Sequence, residues 1–314
     1  MERPEIAVLV SSYQRPLHLQ RCLLSLALQE GVAGKMEVIV TDDGAPEVSL
    51  PVVADFAHRV DFPVRFTTHA HEGFQLARCR NEGIAVSTAP YLLMTDGDCI
   101  LPPDHVKWHL KYRRTGRAVV GDCYRLDLPT SERIDESTIC DGRYLAWVSA
   151  RERRRMAAKT FRAWCYRQFR CSMRPRMTGN NIGIWRTDIE QVNGFDENYI
   201  GWGLEDRDLQ LRLSRLGLKF QSILRHTLGY HLWHPPVPSF ARNNVETENL
   251  EYFKRTKIPT HCRLGLAERI PNTQAIQFTP AVSIDSEIND ANEDAIDILP
   301  FPTQTTISSR QKAA

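Results

Sequence analysis

An alternation of short apolar runs with longer segments of helical periodicity constrains the fold of this chain most. Five runs rich in branched or aliphatic residues are typical of buried strands, and they occupy residues 6–11, 36–41, 64–67, 91–95 and 118–121. Apolar residues at helical spacing lie between them, in the segments 17–29, 73–86 and 102–112. Strands that alternate with helices of this length predict right-handed βαβ units, an α/β fold class and a mostly parallel sheet.

The composition is that of an ordinary globular protein. The chain has 314 residues, 42% of them hydrophobic, so it is long enough to bury a substantial core. Its formal net charge of +2 predicts no nucleic-acid partner. The eight cysteines form no CxxC pair, and the first apolar run is too short for a signal sequence or a membrane span. We therefore expect reduced thiols and a cytoplasmic protein.

Three segments of different composition follow one another along the chain. Residues 5–122 carry the strand–helix alternation, 123–176 are polar and basic, and 177–256 return to mixed helix and turn. The final residues, 271–314, are acidic and then rich in Ser, Thr and Gln, without periodicity. This composition predicts a disordered tail. We expect one folded domain over residues 1–270.

The basic segment departs most from the rest of the chain. Residues 151–170 predict a helix with arginine or lysine at eight positions and a few large apolar side chains, among them Trp164 and Phe169. A solvated helix that packs one side on the domain explains the pattern. A lid, a contact with an anionic acceptor and a peripheral contact with a membrane surface remain open as alternatives.

Acidic residues follow two of the predicted strands directly. Asp42 and Asp43 come after the second strand, and Asp96 and Asp98 flank Gly97 after the fourth. Ligands of open α/β sheets bind at the carboxyl ends of the strands. A surface turn explains either segment in isolation. For Asp96 and Asp98, the position after a buried strand favours a site for Mg²⁺ or Mn²⁺, which accepts carboxylate oxygens and leaves positions for phosphate.

Residues 201–208, GWGLEDRD, place a large aromatic residue between glycines and in front of three acids. Trp202 and Gly203 are candidates for an acceptor platform beside a carboxylate base, since deprotonation of a sugar hydroxyl needs a carboxylate within hydrogen-bond reach. Acids at the start of a helix also stabilise its positive end, so helix capping explains the same pattern.

Two further motifs in the C-terminal half contain polar side chains suited to ligand binding. His231 and His234 flank Trp233 in HLWHPP and are candidate metal ligands, or structural histidines of an ordered loop. Asn181, in the segment GNN, carries an amide that is suited to reading sugar hydroxyls.

The order and spacing of these motifs resemble the family 2 glycosyltransferases with the GT-A fold. The C-terminal half is similar to the galactosyltransferase and chondroitin-polymerase type. The matching text is VLVSSYQRP (8–16), VIVTDDG (38–44), GFQLARCRNEGI (73–84), YLLMTDGDCILP (91–102), TGNNIGIWR (178–186), NGFDENYIGWGLEDRDLQLRLSRLG (193–217) and YHLWHP (230–235). The resemblance spans about residues 5–256 and implies a GT-A domain, with a nucleotide-binding half over 5–122 and an acceptor half over 177–256.

The resemblance also implies a role for individual residues. The residues that it implies for nucleotide binding are Ser12, Tyr13, Arg15, Asp42, Arg78, Arg80 and Asp96. One divalent ion, Mn²⁺ or Mg²⁺, binds with the donor diphosphate at Asp98 and at His231 or His234. Sugar or acceptor contacts fall to Asn181, Trp202 and Gly203. Asp206 is implied as the catalytic base, with Glu205 as its neighbour.

The implied activity is inverting transfer of a sugar, from a nucleotide-diphosphate donor and with a UDP-sugar favoured, to a hydroxyl of a glycan or lipid-linked acceptor. Two alternatives compete with it. In a nucleotidyltransferase we expect a glycine-rich phosphate loop after the first strand, and SSYQRP lacks those glycines. An inactive sugar- or nucleotide-binding scaffold calls for loss of the DxD acids or of Glu205 and Asp206, and all of these are present.

Overall fold

The computed structural model describes residues 3–169, 171, 173–235 and 248–278. The first half contains β1 (Ile6–Ser12), α1 (Pro16–Ala27), β2 (Met36–Asp42), α2 (Pro46–Ala57), β3 (Val64–Thr68), α3 (Leu76–Val86), β4 (Tyr91–Asp96), β5 (Cys99–Ile100), α4 (His105–Tyr112) and β6 (Arg117–Val120). The middle contains β7 (Cys123–Arg125), α5 (Leu128–Glu132), α6 (Glu136–Cys140), a 3₁₀ turn (Arg143–Ala146) and α7 (Ala150–Gln168). The last part contains β8 (Ile182–Trp185), α8 (Arg186–Glu190), α9 (Glu205–Arg215), β9 (Lys219–Ser222), β10 (Gly229–His231), α10 (Glu248–Phe253), α11 (Leu266–Arg269) and β11 (Ile276–Phe278).

An eight-stranded sheet organises the domain, in the order β11-β3-β2-β1-β4-β8-β6-β9. Strands β3, β2, β1 and β4 are parallel, whereas β8 runs antiparallel to both of its neighbours. Apolar side chains pack on both faces, with α1 and α2 on one side and α3 and α9 on the other. Burial on both faces explains why the central strands are continuous apolar runs. The predicted α/β class and mostly parallel sheet are confirmed.

A second, three-stranded sheet brings the last third of the chain to the carboxyl end of β4. Its order is β5-β10-β7, with β10 antiparallel to β5. His231 pairs with Cys99 in this sheet, and the Leu232 N–H donates to the Asp98 carbonyl at 2.9 Å. The small sheet therefore places His231 beside the second acid of the DxD motif.

The structure differs from the sequence-based expectations in a few places. Helix α2 was not predicted, because prolines at 46 and 51 obscure its periodicity; in the structure Pro46 stands in its first turn. Residues 276–278 belong to the predicted disordered tail, yet they form β11, since the edge strand β3 offers backbone partners to them. Residues 279–314 lie outside the described part of the chain. All eight cysteines are free thiols, as expected.

Among the described residues, no helix has both the length and the apolar composition needed to cross a bilayer.

Candidate active site

The carboxyl ends of the central strands bring the predicted nucleotide-side residues together. Ser12 lies opposite Asp42 in the β1–β2 ladder, and Ser11 lies opposite Asp96 in the β1–β4 ladder. Asp98 follows within two residues of the end of β4. Residues from three separate sequence motifs therefore meet at one edge of the sheet, as the parallel topology requires.

Asp98, His231 and His234 form a group whose ligand atoms all lie within 4.8 Å of one another. The His231 Nε2 is 3.4 Å from one carboxylate oxygen of Asp98, and the His234 Nε2 is 3.3 Å from the other. One carboxylate and two imidazoles are a donor set suited to a first-row divalent ion such as Mn²⁺. The residues therefore fit a metal, and both histidines, rather than one of them, stand next to Asp98.

The charge around Asp98 keeps its carboxylate ionised. Burial acts to raise its pKa, but His231, His234 and Arg15 outweigh burial and hold the pKa well below its usual range. The Arg15 Nη1 is 3.3 Å from the carboxylate, and the Arg15 Nη2 is 3.1 Å from the His234 ring. The hydrogen bond with Asp98 raises the pKa of His234. An ionised, buried carboxylate is the form that binds a cation.

A second group of acids surrounds the buried side chain of Arg80, and we call it the Arg80 cluster: Arg80, Asp96, Glu205 and Asp206. The guanidinium lies 2.8 Å from Asp206, 3.3 Å from Glu205 and 3.4 Å from Asp96. The Gly179 N–H donates to the other oxygen of Asp206 at 2.7 Å. A Cβ at position 179 would fall 1.9 Å from the Arg80 guanidinium, so only glycine fits there.

One arginine shared among three carboxylates leaves the Arg80 cluster with an excess of negative charge. Burial and the neighbouring Asp206 raise the pKa of Glu205 to about 7, and burial likewise raises the pKa of Asp96. The Glu205 Oε2 is buried and has no hydrogen-bond partner among the described residues. Leu204, just before α9, has a φ of +76°, a strained conformation for a leucine. Strain and an unpaired polar atom are features of a functional site.

A cavity of about 710 Å³ lies beside the Arg80 cluster and reaches His231, one member of the group around Asp98. Asp96, Glu205 and Asp206 line it together with His231. Its volume is that of a small-molecule site. Trp202 and Gly203, the candidates for an acceptor platform, also line it, and the Trp202 side chain is 50% exposed.

Asp42, which was predicted to bind the nucleotide base, is held by the start of α2. It is fully buried, and its two carboxylate oxygens accept from the Ala45 N–H and the Ser49 hydroxyl. Burial raises its pKa. Both oxygens thus have partners within the protein. Tyr13 is accessible and stacks on His71 at a centroid distance of 4.6 Å.

Behind this edge lies a closed group, the His69 cluster, formed by His69, Asp43 and Glu82. The His69 ring bonds to Asp43 at 2.8 Å and to Glu82 at 2.7 Å. Burial acts to lower its pKa, but the two carboxylates raise it to about 9. Arg78 completes the group through Glu82 at 3.0 Å. The sequence reasoning missed His69 and His71, which belong to no motif that it singled out.

Two further residues predicted to contact ligands have polar partners within the protein. Arg80, predicted to lie beside the nucleotide, lines the cavity, and its guanidinium pairs with the carboxylates of its own cluster. Asn181, predicted to contact a sugar, is fully buried, 2.9 Å from His109 and donating to the Asp122 carbonyl at 3.3 Å. The preceding Asn180 lines the cavity instead.

The basic helix α7 contributes directly to the cavity wall. Arg155 and Lys159, one helical turn apart, line the cavity, and Lys159 forms an ion pair with Asp122. Met156 and Ala163 are buried beneath the helix. The sequence indicated a packed basic helix with these apolar contacts. It did not indicate that two of its cations face the site.

Comparisons with known proteins match this chain to glycosyltransferases. The model of the family described as "Glycosyl transferase family 2" matches residues 7–177, and that of the "N-terminal domain of galactosyltransferase" matches residues 166–234. A validoxylamine A glucosyltransferase of Streptomyces hygroscopicus subsp. jinggangensis is 26% identical over 239 residues, which cover 74% of this chain and 56% of that protein. The chain thus spans about half the length of this curated relative.

Solved structures of GT-A glycosyltransferases share the fold. A mannosyltransferase from Pyrobaculum calidifontis, in complex with GDP-Man and Mn²⁺, gives a TM-score of 0.51 at 16% identity, covering 77% of this chain and 60% of that one. TarS of S. aureus, residues 1–349 in complex with UDP-GlcNAc, gives a TM-score of 0.51 at 12% identity, covering 74% of this chain and 59% of that one.

Proposed function

Because the chain belongs to glycosyl transferase family 2, we propose that it transfers a sugar from a nucleotide-diphosphate donor to a hydroxyl of a glycan or lipid-linked acceptor, with inversion at the anomeric carbon. One observation carries the proposal: the cavity that is lined by Asp206, a carboxylate suited to act as base, is also lined by His231, a member of the ligand group suited to a divalent ion. These are the two functions that sugar transfer from a diphosphate needs.

Asp98, His231 and His234 would hold the ion, Mn²⁺ or Mg²⁺, which when bound supplies positive charge next to the departing diphosphate. The ionised state of Asp98 and the proximity of both imidazoles support this assignment. The Pyrobaculum neighbour, which was solved with Mn²⁺, supports the same class of cofactor.

Asp206 is the residue we assign as general base. Its carboxylate lines the cavity and is fixed by two donors, the Arg80 guanidinium and the Gly179 N–H. A base held at both oxygens keeps one orientation while it accepts the proton of the acceptor hydroxyl. Glu205 lies deeper and, with its pKa near 7, holds a proton for much of the time at neutral pH, so it is suited to donate a hydrogen bond to a sugar.

Ser12, Tyr13, Arg15, Arg78 and Asp96 are assigned to the donor. Ser12 and Asp96 lie at the carboxyl ends of adjacent strands, and Tyr13 presents an aromatic face beside them. A UDP-sugar is our proposed donor, in keeping with the UDP-GlcNAc bound by the structural neighbour TarS. Asp42 supports this region by fixing the start of α2 rather than by contact with the base.

The outer face of α7 supports a peripheral contact with a membrane surface at the cytoplasmic side. Phe161 and Trp164 stack at a centroid distance of 5.9 Å and are 62% and 41% exposed. Exposed arginines at 151, 154 and 162 share the same helix. Aromatic side chains among cations are the composition of helices that lie in a lipid interface. A lipid-linked acceptor would meet the protein on this side.

The proposal is tested by hydrolysis of a panel of UDP- and GDP-sugars with Mn²⁺, by wild type and by Asp98→Ala. We expect one donor to be hydrolysed and Asp98→Ala to lose that activity, because the ion loses its only carboxylate ligand in the group. The exposed Asp61→Ala serves as the matched control and keeps wild-type activity. If wild type neither bound nor hydrolysed any nucleotide sugar of the panel, that result would instead favour the inactive scaffold.

A further inference from the structure

The wall of the cavity is rich in cations. Arg125 at the end of β7, Arg176 before β8 and Arg207 in α9 line the cavity together with Arg155 and Lys159 of α7. These residues come from four separate segments of the chain. Their convergence on one cavity is therefore a property of the fold and not of one basic stretch of sequence.

Some of these positive charges are balanced within the protein. Lys159 pairs with Asp122, and the Arg155 guanidinium lies 2.7 Å from Glu152. Arg80, on the floor of the cavity, is shared by the three acids of its cluster. These cations are neutralised before any substrate arrives.

Arg125, Arg176 and Arg207 remain without a carboxylate within ion-pair distance in the part of the chain that the structure describes. All three side chains are exposed. Arg207 packs over the Phe253 ring, 5.1 Å from its centroid, which limits where its guanidinium can lie. Arg125 is near enough to Glu152 to interact with its charge, but Glu152 already pairs with Arg155. The three arginines therefore leave a net positive charge on the cavity wall, which suits an anion.

We infer that the acceptor carries an anionic group, a carboxylate or a phosphate, which Arg125, Arg176 and Arg207 bind while its hydroxyl is presented to Asp206. This inference rests on the proposed function, because it assigns the substrate class of that same site. An arginine fork matches the planar carboxylate and the phosphate oxygens with two parallel hydrogen bonds. A neutral glycan offers no group that would compensate the positive wall.

The diphosphate of the donor is a second anion that these arginines could bind. The experiment therefore fills the donor site before the acceptor probes are added. Protein saturated with UDP and Mn²⁺ is titrated by calorimetry with two matched pairs of probes. The first pair is hexagalacturonate and its fully methyl-esterified form, which differ in the carboxylate charges. The second pair is glucose 1-phosphate and glucose. The first pair tests a carboxylate source and the second a phosphate source.

We expect the anionic member of at least one pair to bind wild type about tenfold tighter than its neutral partner, as the net value of charge-assisted hydrogen bonds implies. The triple variant Arg125→Gln, Arg176→Gln, Arg207→Gln should lose this preference. The matched control Arg114→Gln, Arg133→Gln, Arg263→Gln removes the same charge from exposed positions outside the cavity, and it should keep the preference.

Equal binding of charged and neutral probes would overturn the inference, and so would an equal loss in the two triple variants, which would indicate a general effect of surface charge. Thermal unfolding of each variant confirms that it is folded. Donor hydrolysis by wild type is measured separately and needs no acceptor. Its absence would reject the proposed function, whereas a neutral preference with intact donor hydrolysis would reject only the anionic acceptor.

Discussion

The His69 cluster and the Arg80 cluster both place carboxylates around a buried cation, but they differ in how the charges are balanced. In the His69 cluster, the imidazole bonds to Asp43 and Glu82 with its two ring nitrogens. Arg78 adds a second positive charge to Glu82. Each acidic group thus has a partner of opposite charge, and the cluster is closed.

The Arg80 cluster has three carboxylates for one guanidinium, and it opens into the cavity. Glu205 retains a buried oxygen without a partner among the described residues. The comparison teaches that a balanced cluster stabilises the fold, whereas an underbalanced one is prepared to receive a proton or a ligand. Substitutions in the first should change stability, and substitutions in the second should change activity.

The largest effect is expected for Asp206→Asn. The amide cannot accept a proton from the acceptor, so the rate of sugar transfer should fall by about 10² to 10⁴, with little change in the free energy of unfolding. Steady-state transfer kinetics and urea unfolding measure the two quantities. Asp61→Asn, the same change at an exposed acid, is the control. Retention of more than about a tenth of wild-type transfer would exclude Asp206 as the base.

His69→Gln should affect stability and leave the chemistry of the cavity intact. Because the folded state raises the pKa of His69 from 6.5 to about 9, the proton on His69 stabilises the fold below pH 6.5 and this contribution disappears as the pH rises through 9. The rise corresponds to roughly 3 kcal/mol. The difference in unfolding free energy between wild type and variant should therefore be larger at pH 6 than at pH 9.5.

Urea unfolding at the two pH values tests this, with the exposed His58→Gln as control. The same difference at both pH values would show that the charge of His69 does not stabilise the fold. The balanced His69 cluster would then not be a stabilising element.

Arg80→Lys separates the charge of Arg80 from its geometry, because lysine keeps the positive charge but lacks the planar guanidinium group. Arg80 contacts Asp206 and Glu205 through Nη1 and Asp96 through Nη2, and the single nitrogen of a lysine cannot reproduce this spread, so Asp206 should lose its fixed orientation. We expect kcat to fall by about 10- to 100-fold, with the KM for the donor nearly unchanged. Arg113→Lys, in the remote pair with Glu5, is the control. A rise in donor KM at constant kcat would instead place Arg80 at the nucleotide.

The sequence predicted the parts of this protein that depend on backbone and burial. Strands buried on both faces are readable as apolar runs, and the parallel topology brings the residues after them to one edge. The resemblance predicted a metal at Asp98 and at His231 or His234, and the structure brings all three residues together. The pairing of Asp206 with a buried arginine needed the tertiary structure.

Side-chain direction was the part that the sequence did not specify. Asp42 and Asp43 are adjacent, yet Asp42 accepts hydrogen bonds from Ala45 and Ser49 whereas Asp43 bonds to His69. Asn180 and Asn181 are likewise adjacent, and one lines the cavity while the other is buried against His109. The sequence also did not indicate the cationic part of the cavity wall, because its residues lie on separate segments of the chain.

The ladder between β5 and β10 determines when, during synthesis of the chain, the residues around Asp98 come together. Arg15 and His234, which both contact Asp98, are separated by 219 residues. A nascent chain that extends only through the parallel strands contains Arg15 and Asp98 but neither histidine. The proposed ion site is therefore completed only after residue 234 has been synthesised, when β10 pairs beside Asp98.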